Sequence, residues 1–135
     1  MKIKIVNLSL SSRDKLKVCV GNVKDYFEIR YSCAWEKAKD KNPTLIKRIE
    51  AGAVLGITST IDQTKDPDGC CVFVWINEDA PVCNQEVTLV HELVHVKQKI
   101  EKRLRFDTNG ETWPRELEAY FISDLYKETR EILYK

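Results

Sequence analysis

Apolar and polar residues alternate at the amino end of the chain, where Ile3, Ile5, Val6, Leu8 and Leu10 stand with polar residues between them except at the adjacent Ile5-Val6. That period of two predicts a strand over residues 2–10. Residues 11–33 hold no single period. Ser12-Arg13-Asp14 has the composition of a cap for a short helix, and residues 26–31 suit either strand or helix, so no element is assigned there. Helical composition begins at Ala34, stops at Asn42-Pro43, resumes from Thr44 to Ala51 and ends at Gly52. Trp35, Ala38, Leu45, Ile46 and Ile49 fall on the inner faces of those two pieces.

β-branched residues dominate Val54 to Ile61, which predicts another strand. Residues 63–69 have the composition of a turn, and Cys71 to Ile76 is the strongest strand signal in the chain. These two strands are expected to pair antiparallel across the loop. Asn84 is a suitable N-cap for a helix running to Leu104. After a turn at residues 107–110, Trp113-Pro114 opens a last helix reaching about Tyr134. The chain shows no repeats, low-complexity tracts or linkers. The pattern predicts one α+β domain over residues 1–135, with a small mixed or antiparallel sheet and a closing C-terminal helix.

Composition narrows the partners. The chain has 135 residues, enough for one domain with a sizeable core. Its 22 basic and 21 acidic residues leave a formal charge of +1, which argues against nucleic acid or a membrane as the main partner. No stretch approaches the ~18 apolar residues of a membrane span. The amino end lacks the unbroken apolar core of a signal peptide. Five cysteines without such a signal imply reduced thiols and a cytoplasmic location. Cys19, Cys33, Cys70, Cys71 and Cys83 mostly neighbour apolar residues, so buried packing is their expected role.

The chemistry is concentrated in His91-Glu92-Leu93-Val94-His95, an H-E-x-x-H pattern inside the long helical run. Residues i and i+4 share a helix face, so His91 and His95 can close on one metal ion. Neutral imidazole suits zinc. Glu92 stands beside the first ligand, where a carboxylate can serve as base to a water whose pKa the metal lowers towards ~7. The chain has two histidines, and both lie in this pattern. A structural zinc site would favour four ligands with cysteine among them, and no C-x-x-C is present. A catalytic site needs a third protein ligand. With no further histidine, Glu116 and Glu118 are the candidates. The helical pattern places Glu118 amid Leu117, Phe121, Ile122, Leu125 and Ile132, and Glu116 beside Tyr120, Ser123 and Lys127.

The segment Thr88 to Val96, TLVHELVHV, followed by Glu116-Leu117-Glu118-Ala119-Tyr120, resembles the gluzincin-type zincin metallopeptidases, in particular their minimal single-domain bacterial and phage-encoded forms. The resemblance covers about residues 71–126. It implies a zincin-like fold, one zinc ion per chain, and Glu116 of the Glu-x-x-Ala pattern as third ligand. It also implies an edge strand over residues 71–77 that pairs with extended substrate. Tyr120 lies one turn after Glu116, where it is either a donor to the oxyanion or an ordinary packing residue. Lys97 departs from the family, whose helix more often continues apolar. The expected activity is hydrolysis of a peptide bond in a peptide or protein substrate, with Glu92 as general base. A non-hydrolytic regulatory or binding module that retains the zinc core is the alternative, and the intact Glu92 favours the enzyme. No oligomeric state follows from these residues.

Overall fold

The computed structural model describes residues 1–8, 13–32, 34–104 and 115–134, with side chains except at 103–104 and 115–117. Its elements in chain order are β1 (Lys2–Asn7), β2 (Lys15–Gly21), α1 (Val23–Tyr31), α2 (Trp35–Lys41), α3 (Pro43–Glu50), β3 (Gly56–Thr60), β4 (Val72–Asn77), α4 (Val82–Leu104) and α5 (Arg115–Thr129). A 3₁₀ turn over Arg130–Leu133 follows. Among the described residues this is a mixed α and β chain of five helices and one four-stranded sheet, compatible with the expected α+β class.

The sheet order is β1-β2-β4-β3. β1 runs antiparallel to β2, β2 parallel to β4, and β4 antiparallel to β3, as the sequence pattern anticipates for that last pair. All six residues of β4 are buried. Alternation sends Val72, Val74 and Ile76 to one face, and Phe73 and Trp75 to the other. On the first face lie Leu89, Leu93, Val96 and Ile100 of α4, with Phe121 and Leu125 of α5. The second face is covered by Tyr26 and Phe27 of α1, Ala38 of α2, and Ile46 and Ile49 of α3. Trp35 and Leu45 are partly buried against that same cluster.

This arrangement corrects one expectation. Residues 71–77 are not an edge strand, because β4 lies between β2 and β3. A strand buried on both faces reads as an unbroken apolar run. The property that makes β4 conspicuous in the sequence is therefore the mark of an interior position. Among the described residues the edges are β1 and β3.

The unassigned stretch contains two elements. β2 alternates Leu16, Val18 and Val20 towards α4. α1 starts with a capping box: the Asp25 N–H donates to Asn22 Oδ1 at 3.0 Å, and the Asn22 N–H donates to Asp25 Oδ2 at 2.9 Å. Lys17, on the opposite face of β2, is buried and donates to Asp66 at 2.7 Å and Asp68 at 3.1 Å. Burial alone would lower the Lys17 pKa, but these carboxylates outweigh it and leave the ammonium above its ordinary value. The pair ties the 62–69 loop to the sheet.

Two smaller differences concern α4 and the cysteines. α4 begins at Val82, two residues before the expected cap. The Asn84 N–H instead donates to the Pro81 carbonyl at 2.9 Å, inside the first turn. Cys19, Cys70 and Cys71 are buried as expected, but Cys83 is exposed, and Cys33 lies outside the described residues. Burial pushes the Cys19 and Cys70 thiols up to about 12, so neither is a thiolate at neutral pH. No described helix is long and apolar enough to cross a membrane.

Candidate metal centre

The buried row Leu89, Leu93, Val96 and Ile100 fixes the rotation of α4 about its axis. At ~100° per residue, the side chains of His91, His95, Gln98 and Lys102 then project from the opposite side, and Glu92 and Lys99 turn from it towards β3. His91 is exposed, whereas Glu92 is buried at 5%. The ligand-capable atoms of His91, Glu92 and His95 all lie within 4.8 Å of one another.

The two imidazoles meet edge to face, with Nε2 atoms 3.3 Å apart. Two zinc–nitrogen bonds of ~2.05 Å at a tetrahedral angle place their nitrogens ~3.3 Å apart, so the pair has the spacing that a shared zinc ion requires. The His95 Nδ1–H donates to Gln98 Oε1 at 3.0 Å. That bond selects the tautomer whose Nε2 lone pair points towards His91 Nε2, which is how metal-ligating histidines are commonly oriented. This group could bind a metal ion, and its donor set fits zinc.

Glu92 is held from the sheet. Thr58 Oγ1, on edge strand β3, lies 2.6 Å from Glu92 Oε2 and 3.2 Å from the Glu92 carbonyl oxygen. A hydroxyl has one hydrogen to give. The short contact to the carboxylate takes it, because a charged acceptor makes the stronger bond. Thr58 and Gln98 were not singled out in the sequence. Gln98 stands three residues after His95 and was accessible to a helical argument, whereas the approach of Thr58 depends on the fold.

Gly56 makes that approach possible. A Cβ at this position would lie 2.5 Å from Thr88 Cγ2, 3.1 Å from Glu92 Cγ and 3.1 Å from the Trp75 carbonyl oxygen. Strand and helix are thus closer than any side chain permits. Gly56→Ala is expected to destabilise the fold by about 1–3 kcal/mol, the usual scale for overpacking. Denaturant unfolding measures it, and an unchanged midpoint would mean that β3 and α4 separate without cost.

A third ligand was expected from Glu116 or Glu118. The Glu116 side chain lies outside the described residues. Its rival Glu118 is engaged elsewhere, accepting from Lys97 Nζ at 3.0 Å. Lys97 is nine-tenths buried and also faces Glu101 at 3.5 Å. Burial would lower its pKa, but Glu118 and Glu101 more than offset this and raise it. The lysine that departs from the zincin pattern therefore ties α4 to α5. Tyr120 is 66% exposed and does not line the cleft beside the histidines.

That cleft, of about 390 Å³, runs between β3 and α4. Gly56, Ile57 and Thr58 form one wall, and Glu92, His95, Gln98, Lys99 and Lys102 the other. The outer edge of β3 borders it and has no partner strand among the described residues. Comparison with protein-family models, curated proteins and solved structures returns no match to this chain.

Proposed function

We propose that this chain is a zinc-dependent metallopeptidase of the gluzincin type, with His91, His95 and Glu116 as metal ligands and Glu92 as general base. The observation that carries the reading is the pair of facing imidazole nitrogens, 3.3 Å apart, beside a buried carboxylate held by Thr58 in an open cleft. A bound zinc ion supplies Lewis acidity, lowering the pKa of water towards ~7 and polarising a carbonyl. Glu92 takes a proton from the attacking water and passes it to the departing amine nitrogen. Thr58 keeps that carboxylate aimed while the proton moves. An extended peptide adds to the free edge of β3, held by backbone hydrogen bonds that are indifferent to its sequence. This role passes from β4 to β3 because only an edge strand has unpaired backbone groups.

The intact Glu92–Thr58 contact supports hydrolysis over a binding module, which has no use for an aimed base. Zinc-loaded protein is expected to cleave unfolded casein, and a chelator to stop it reversibly. Zinc-replete protein that leaves casein and other unfolded chains intact would favour the binding module.

A further inference from the structure

The wall of the cleft beyond His95 carries charge that the hydrolytic centre does not use. Lys99 and Lys102 both line it. Among the described residues, neither makes an ion pair, whereas Lys97 on the other side of α4 is neutralised by Glu101 and Glu118. Among the described residues, Glu92 is the one acidic residue lining the cleft, and it is buried and bound to Thr58. The accessible charge of this wall, among the described residues, is therefore positive. A preference of cations for helix C-termini accounts for Lys102, in the last turn of α4. It does not account for Lys99, a turn earlier and facing β3.

Position then suggests what the charge is for. With a rise of 1.5 Å per residue, Lys99 lies ~6 Å beyond His95 along the helix, and Lys102 ~10 Å beyond it. An extended peptide advances ~3.3 Å per residue, so these distances match groups two and three residues from the bond at the metal. We infer that Lys99 and Lys102 form a carboxylate-binding subsite of the β3–α4 cleft, selecting substrates with an acidic group two to three residues from the scissile bond. This rests on the peptidase reading for the meaning of the scissile bond. The carboxylate itself is either an Asp or Glu side chain or the peptide's own C-terminus.

The test compares wild type with Lys99→Gln/Lys102→Gln, which keeps helix propensity and length while removing both charges. The probes are labelled peptides with Glu scanned through a neutral extended sequence, each made as free acid and as C-terminal amide. Cleavage rates are read on the zinc-loaded chain, and binding by fluorescence anisotropy on zinc-loaded Glu92→Gln. Wild type is expected to favour the acidic peptide about five-fold at low salt, with the preference shrinking as salt rises. The double variant should lose that preference and keep its rate on the neutral peptide. Loss on amidation assigns the C-terminus, and persistence assigns the side chain. Equal handling of acidic and neutral peptides by wild type overturns the subsite, as does a preference that survives in the double variant. If no peptide is cut but lysine-dependent acidic preference remains in binding, the subsite stands and the peptidase reading fails.

Discussion

Glu92→Gln is expected to keep its zinc and to lose about a thousand-fold in peptide hydrolysis. The amide has the shape and reach of the carboxylate but cannot accept a proton, and general base catalysis is typically worth ~10²–10⁴-fold. The contact with Thr58 survives the change, since a hydroxyl can turn to either end of an amide. The fold should therefore be unaffected, and zinc content and the thermal midpoint serve as controls. Cleavage at the wild-type rate by zinc-replete Glu92→Gln protein would remove Glu92 from the chemistry.

His95→Ala should abolish stoichiometric zinc, lowering affinity at least ~100-fold. Structural sites derive ~10–16 kcal/mol from four ligands together, which makes a single one worth several kcal/mol. The substitution also frees Gln98 from its bond to Nδ1. Because His95 faces solvent and a cleft rather than the core, the fold should tolerate its loss. Competition with a chelator ranks the carboxylates in the same experiment. Glu116→Ala is expected to weaken zinc at least ~10-fold. Glu118→Ala should weaken it less, since that carboxylate is committed to Lys97. Equal zinc in wild type and His95→Ala would place the metal elsewhere, and a reversed order of the two glutamates would give the ligand role to Glu118.

What the sequence determined by itself is the candidate donor pair that travels with one helix. The i, i+4 spacing of His91 and His95 is a property of local geometry, and the facing nitrogens follow from it wherever that helix packs. The two short helices around Asn42-Pro43 and the pairing of β3 with β4 were legible for the same reason, since punctuation and period are local signals. β2 and α1 were legible in principle, through the alternation Leu16, Val18, Val20 and the Asn22–Asp25 box. Tertiary structure alone decided which strand forms the edge, because strand order depends on pairing between segments over fifty residues apart in the chain, such as Val18 with Val74. It also decided what holds Glu92. Thr58 lies 34 residues from Glu92 in sequence, and reaches it only because Gly56 lets β3 approach α4 within the distance a Cβ would occupy. Lys97 is the same case in reverse: a charge on an expected apolar face is neutralised by Glu118, which α5 brings to it, beside Glu101 of its own helix. Each of these depends on burial created by the fold, and burial is a property of the assembled layers rather than of any one segment.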